Sequence, residues 1–155
     1  MKSQSKVEIF LKRHGYDKEV IYFNQSSATV PLAAVALGVS EAEIAKSLTF
    51  LLKEKNIVLV MCGTARVDNK KFKQAFGCKA KMATAQETLQ ITTYPVGGVC
   101  PFALPDEVQV YLDISLQRFE RVFPAAGTAA SAVDITVKAL ENITDGIWVD
   151  VAKEE

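Results

Sequence analysis

The sequence is poor in the residues that most often carry chemistry, with one histidine, one tryptophan and three cysteines among 155 residues. With His14 alone no histidine metal cluster can be assembled, and a Ser-His-Asp or Cys-His arrangement would have to pass through that one ring. His14 falls at the end of an amphipathic segment, where a basic side chain commonly serves a helix C-terminus. Cys62, Cys78 and Cys100 show no paired spacing and leave an odd count, which fits reduced thiols better than a disulfide framework and spells no zinc motif. Long apolar runs are missing too. The longest, Ile57 to Cys62, is far too short to cross a bilayer, and the polar N-terminus lacks a signal-peptide core. A cytoplasmic protein with no membrane association, no metal and no cofactor is expected.

The chain also lacks net charge, with 18 basic and 18 acidic residues. Their placement along the sequence is uneven. From Arg66 to Lys81 the basic residues Arg66, Lys70, Lys71, Lys73, Lys79 and Lys81 face only Asp68. Asp134, Glu141, Asp145, Asp150, Glu154 and Glu155 make the C-terminal part acidic, which gives an electrically polarised chain. A lysine-rich helix is either a solvated face or an attractor of phosphates. Hydrophobic residues make up 49% and charged residues 23%, ordinary values for a chain long enough to bury one core. One domain over residues 1–155 is expected.

Helix and strand signals alternate with short connections. Val7, Phe10, Leu11 and His14 lie at helical spacing, so a helix over Ser3 to His14 ending at Gly15 is expected, followed by a strand over Val20 to Phe23. Thr29 before Pro31, with an Ala-rich stretch closing at Gly38, marks a short capped helix. Ser40-Glu41-Ala42-Glu43 is a capping box for another, expected to run out near Lys46 and to place that lysine at a helix-to-strand junction. Ser47 to Leu52 and Ile57 to Cys62 read as paired buried strands. Asp68 caps a helix with Phe72 and Phe76 on its apolar side and Gly77 at its end. Lys79 to Ala83 is a strand candidate, and Thr84-Ala85-Gln86-Glu87 opens a helix that ends before Tyr94. Beyond it, Val108 to Leu112, Arg121 to Phe123, Ala132 to Val137 and Ile147 to Val151 read as strands, with a helix around Lys138 to Asn142. The sum is an α/β single domain with a mixed, curved β-sheet and short flanking helices.

The segment Tyr94-Pro95-Val96-Gly97-Gly98-Val99-Cys100-Pro101-Phe102 sets a glycine pair between two prolines. Glycines permit close approach and positive φ, and the prolines stiffen the flanks. Such a loop either offers backbone to a ligand or is a plain turn between helix and strand.

Ala45-Lys46-Ser47-Leu48-Thr49-Phe50, Asp68 with Lys70-Lys71, the Tyr94 to Phe102 loop, and Ala126-Gly127 followed by Val133-Asp134-Ile135 occur in the order of one known family. Over roughly residues 20 to 150 the chain resembles the YbaK/prolyl-tRNA synthetase-associated domain family, whose members hydrolyse wrongly charged tRNA. The resemblance implies the fold of that family and an aminoacyl-tRNA deacylase whose partners are an aminoacyl-tRNA and a cognate aminoacyl-tRNA synthetase. It matches Lys46 to the family's hallmark lysine, Gly97 and Gly98 to its glycine loop and Asp134 to an acidic residue near the pocket, with Thr29 and Ser47 matching more loosely. Cys100 stands where the family has a serine, Ala103 where a glycine is frequent, and Gly127 to Ser131 lacks an asparagine of many relatives.

The residue types suit that chemistry. An aminoacyl ester is already activated, so a site needs to supply position and charge stabilisation rather than a nucleophile. Lys46 is a compact cation for a terminal phosphate or ribose oxygen, or else a surface lysine. Gly97 and Gly98 can present amides to a carbonyl gaining negative charge. Thr29, Ser47, Cys100 and Asp134 are the candidate substrate-binding residues; Asp134 would receive an α-ammonium group or orient water, or instead be a strand-edge carboxylate paired with a lysine. Arg66, Lys70, Lys71 and Lys73 are the candidate tRNA contacts. A synthetase separates small apolar side chains poorly, since a methylene is worth only roughly 1–3 kcal/mol, and a second hydrolytic sieve restores accuracy. In the family the usual intruders are alanine or cysteine on tRNA for proline. Two other readings stay open: a non-catalytic module that binds tRNA or a synthetase, and a hydrolase using Cys100 as a thiol nucleophile, for which no neighbouring base is identifiable.

Overall fold

The computed structural model describes residues 5–154. Local capping sets most helix ends. Helix α1 (Lys6–Arg13) opens at Ser5, whose hydroxyl accepts from the Glu8 amide while the Glu8 carboxylate accepts from the Ser5 amide. This reciprocal pair satisfies two donors that a first turn leaves open. The expected start at Ser3 lies outside the described residues. Helix α2 (Val30–Leu37) has Thr29 as its cap, Pro31 in its first turn and Gly38 beyond its end at φ +71°. Asp68 caps α3 (Asn69–Phe76) by accepting from the Lys70 and Lys71 amides, and Gly77 ends it. The Thr84 and Glu87 box opens α4 (Ala85–Thr92), and Thr136 caps α5 (Val137–Thr144).

The strands, in chain order, are β1 (Ile21–Tyr22), β2 (Ile44–Leu51), β3 (Asn56–Cys62), β4 (Ala65–Val67), β5 (Gln109–Asp113), β6 (Arg121–Pro124), β7 (Ser131–Ala132), β8 (Ile135–Thr136), β9 (Ile147–Val149) and β10 (Ala152–Glu154). Six of them form one mixed sheet in the order β8-β6-β2-β3-β5-β9. Its centre is the antiparallel β2–β3 hairpin, in register from Ala45 opposite Cys62 to Leu51 opposite Asn56. Strand β6 joins β2 and β5 joins β3 in parallel, while β1 with β7 and β4 with β10 make separate antiparallel pairs. Residues Ile57 to Cys62 of β3 are wholly buried, as expected of an apolar strand covered on both faces. The core around it is built on Leu11, Phe72, Phe102, Leu112, Leu116 and Leu140.

Tertiary pairing corrects several expected boundaries. The Ser40 box opens only a short 3-10 turn, Glu41–Glu43, and β2 begins at Ile44. Lys46 is therefore inside a strand, because Ile44 and Ala45 are buried and paired with Phe123 and Pro124. Lys79 to Ala83 contributes one bridge, Met82 to Phe50, rather than a strand. The run from Ala132 to Val137 divides into β7 and β8, and the run from Ile147 to Val151 ends at Val149. Asp113 holds the chain just beyond Val149: its buried carboxylate accepts from the Ser115 and Val151 amides. Strand β4 and the 3-10 turn Ile114–Arg118 carried no recognised sequence signal.

The glycine loop is pinned from behind. The Tyr94 hydroxyl donates to the Phe102 carbonyl at 2.5 Å, and the Gly98 amide donates to the Pro95 carbonyl at 2.8 Å. Just past the loop Ala103 holds φ +55°, a left-handed conformation in which its methyl group is strained. Glycine there removes the strain but gives the unfolded chain more freedom, so Ala103→Gly is expected to raise stability by about 0.5–1 kcal/mol, or about 1–4 °C in a thermal melt. A fall in melting temperature would show that the methyl group contributes packing that outweighs its strain.

Candidate functional site

A cavity of about 260 Å³ opens where β2 lacks a neighbour. The Gly63 amide donates to the Ile44 carbonyl, so even-numbered residues of β2 turn their main-chain groups toward β3 and odd-numbered residues turn theirs away. On the outward edge β6 covers Ile44 and Ala45. Farther along, the Leu51 amide donates to Lys81 O and the Ala83 amide to Thr49 O, each at 2.9 Å. Between these stretches the edge at Lys46, Ser47 and Leu48 faces the cavity. The start of α2, the glycine loop, Phe123 and Ser131–Ala132 add to the wall, as do Met82, Ala83, Thr88 and Ala125.

The structure brings Thr29, Lys46, Ser47 and Gly97 together on that cavity. Thr29 stands exposed at its mouth, its hydroxyl capping α2. Lys46 is half-buried, and its ammonium donates to the carbonyls of Gly63 and Ala65 at 3.3 and 2.5 Å. The β3–β4 turn thus holds the lysine head in place. Gly97 lines the cavity, and its amide has no hydrogen-bond partner among the described residues. Neither glycine of the pair has positive φ; they are required by close approach. A Cβ on Gly97 would stand 2.7 Å from the Ala28 Cβ, and one on Gly98 2.7 Å from Gly127 C and Thr128 N.

Three expected residues lie elsewhere. Gly98 is buried behind the cavity wall, and its amide is already used in its own turn. Asp134 turns outward between β7 and β8, where its carboxylate accepts from Lys18 at 2.8 Å and Arg121 at 3.1 Å, and its carbonyl accepts from the Tyr16 hydroxyl. The structure therefore matches the paired-carboxylate reading of Asp134, outside the cavity lining. Cys100 is fully buried with its thiol toward the Phe102 carbonyl and does not line the cavity. Burial pushes that thiol up to about 12, so it stays protonated at neutral pH, the opposite of an activated nucleophile. Cys100→Ser is expected to leave hydrolytic turnover unchanged within about threefold while lowering stability by about 1 kcal/mol, because a hydroxyl is costlier to bury than a thiol. Turnover assays beside a thermal melt check both parts.

The C-terminal segment meets the basic segment in space at a few points. Strand β10 lies against β4, setting Lys153 opposite Arg66. Lys71 pairs with Asp150 at 3.1 Å and donates to the Ala152 carbonyl, and Arg118 pairs with Glu154 at 3.0 Å. Of the four candidate tRNA contacts, Arg66, Lys70 and Lys73 are exposed and Lys71 is half-buried. Thr49 was missed by sequence reasoning. It lines the cavity two residues after Ser47 on the same face of β2, and the hydroxyls of both are enclosed without a partner among the described residues. The alternation of small polar residues along a buried strand is the signal that could have found it. Among the described residues, no group of three His, Cys, Asp or Glu side chains could hold a metal ion, and no helix is long and apolar enough to cross a membrane.

A family model described as the aminoacyl-tRNA editing domain matches residues 25–143. The uncharacterised protein YwhH of Bacillus subtilis is 45% identical over 140 residues, 89% of each chain. EbsC of Enterococcus faecalis, named as a candidate Cys-tRNA(Pro)/Cys-tRNA(Cys) deacylase, is 24% identical over 90% of this chain and 87% of its own. A solved structure described as a candidate trans-editing enzyme for prolyl-tRNA synthetase superimposes with a TM-score of 0.89 at 28% identity, covering 97% of this chain and 99% of that one.

Proposed function

Because this chain belongs to the aminoacyl-tRNA editing domain family, we propose that it is a trans-acting deacylase that hydrolyses the ester of tRNA for proline mischarged with a small amino acid such as alanine or cysteine. The observation that carries this reading is the placement of Lys46 and Gly97 on one small cavity beside an open strand edge. At about 260 Å³ that cavity lies below the roughly 300–1,000 Å³ usual for drug-sized ligands, and suits a small aminoacyl unit with the terminal ribose at its mouth.

In this reading the Lys46 ammonium binds a terminal phosphate or ribose oxygen of the tRNA 3′ end, and its perch on Gly63 and Ala65 fixes where that oxygen sits. Water, oriented by the substrate's own ribose hydroxyl, attacks the ester carbon. The carbonyl oxygen gains negative charge, stabilised by the Gly97 amide; one such donor is worth about 3 kcal/mol. The carbon–oxygen bond to the ribose then breaks, the ribose oxygen takes a proton and the free amino acid departs. In the same reading the exposed Lys70 and Lys73 meet acceptor-stem phosphates, with affinity that falls as salt rises.

The test is a panel of tRNAs mischarged with alanine, cysteine, serine, threonine and proline, incubated with purified protein. Release of a small amino acid from tRNA for proline, with the correctly charged species spared, is the expected result. Inertness toward every member, with tRNA binding retained, would replace this reading with that of a binding module.

A further inference from the structure

The open edge of β2 carries an inference that deepens the deacylase reading and rests on it. Ser47 is the odd-numbered residue between two covered stretches, so its N–H and C=O both point out of the strand into the cavity, and neither has a hydrogen-bond partner among the described residues. Buried main-chain groups are nearly always paired, and an unpaired couple on a cavity wall marks a place a ligand completes. We infer that the aminoacyl group of the substrate docks on Ser47 as a one-residue antiparallel β-bridge, its α-ammonium donating to Ser47 O and its ester carbonyl accepting from Ser47 N–H.

The chemistry matches group for group. An aminoacyl ester presents an amine and a carbonyl on either side of one α-carbon, the spacing a strand residue uses to exchange two hydrogen bonds with the residue opposite it. The carbonyl oxygen has two lone pairs, so Ser47 N–H occupies one and leaves the other for the Gly97 amide. Two backbone donors then converge on the atom that becomes the oxyanion. The bridge also assigns the α-ammonium a receptor, a main-chain carbonyl, which accounts for a site that functions while Asp134 is committed to Lys18 and Arg121.

The same geometry limits the substrate's side chain. In an antiparallel bridge the paired residues put their side chains on one face, with Cβ atoms roughly 4.5–5.5 Å apart. The aminoacyl side chain therefore stands beside Ser47 and between Ala45 and Thr49, three small residues of β2 that line the cavity. Small side chains fit between them.

The experiment titrates isotope-labelled protein with 3′-alanylamino-3′-deoxyadenosine, an amide analogue that does not hydrolyse, and follows backbone amides by NMR. The expected result is that the Ser47 amide proton moves downfield together with that of Gly97 and that its hydrogen exchange slows by at least roughly tenfold. In parallel, hydrolysis of alanyl-tRNA is compared with that of propionyl-tRNA, which lacks the amine, each rate divided by the ester's spontaneous rate. Loss of the ammonium bond is expected to lower the normalised kcat/KM by roughly 10–100-fold. A Gly97 shift with Ser47 unmoved, or equal normalised rates for the two esters, overturns the bridge and leaves the deacylase reading standing. No shift at any cavity amide, together with inertness toward the mischarged panel, overturns both.

Discussion

Lys46→Ala is expected to lower kcat/KM for deacylation by at least about 100-fold, the largest effect of any single side chain on activity. Two losses combine. In the proposed mechanism a charge-assisted hydrogen bond to phosphate or ribose, worth about 1.5–3 kcal/mol, is lost, and with it the anchor that would place the ester of the 3′ end against the Gly97 amide. The substitution also leaves the Gly63 and Ala65 carbonyls without the ammonium, at a stability cost of about 1–2 kcal/mol. Single-turnover kinetics beside a thermal melt separate the two, because a protein still folded at the assay temperature loses turnover only through the site. Lys46→Arg sharpens the test. Its planar guanidinium keeps the charge but cannot reproduce the compact head held between two carbonyls, so activity is expected to stay well below wild type. Turnover within threefold of wild type in Lys46→Ala would remove the lysine from the mechanism.

Gly98→Ala carries the largest expected cost in stability, about 2–3 kcal/mol and a melting temperature lower by about 4–12 °C. Its Cβ would lie 2.7 Å from Gly127 C and Thr128 N and 2.8 Å from Thr128 C, all main-chain atoms with no rotamer to yield. The neighbouring substitution separates structure from function. A Cβ on Gly97 meets the Ala28 and Ala129 methyl groups at 2.7 and 3.5 Å, and Gly97 and Ala28 both line the cavity. Gly97→Ala is therefore expected to lose activity out of proportion to stability, and Gly98→Ala the reverse. Equal melting temperatures for Gly98→Ala and wild type would show that the loop shifts freely, against the pinning by Tyr94 and Pro95.

Much of the fold was legible residue by residue. Thr29, Asp68 and Thr84 cap helices where their hydroxyls or carboxylate predict, and Gly38 and Gly77 end them, because capping joins groups within three or four residues of each other. The apolar run Ile57 to Cys62 became the most buried strand for a similarly local reason. The misread boundaries all involve partners far along the chain. Lys46 entered a strand because Phe123 and Pro124 pair with Ile44 and Ala45, and Met82 kept a single bridge to Phe50.

The site divides the same way. Residue type left Lys46 and the glycine pair open between a site and a plain surface lysine and turn, and motif order picked out the family and, through it, these residues. The tertiary structure decided which of these meet. It placed Gly97 on the cavity and Gly98 behind it, turned Asp134 toward Lys18 and Arg121, and set the C-terminal strand β10 against β4. It also left Ser47 uncovered between two paired stretches of β2. Side-chain chemistry is written in the sequence one residue at a time, whereas an open main-chain edge exists only through the arrangement of every strand around it.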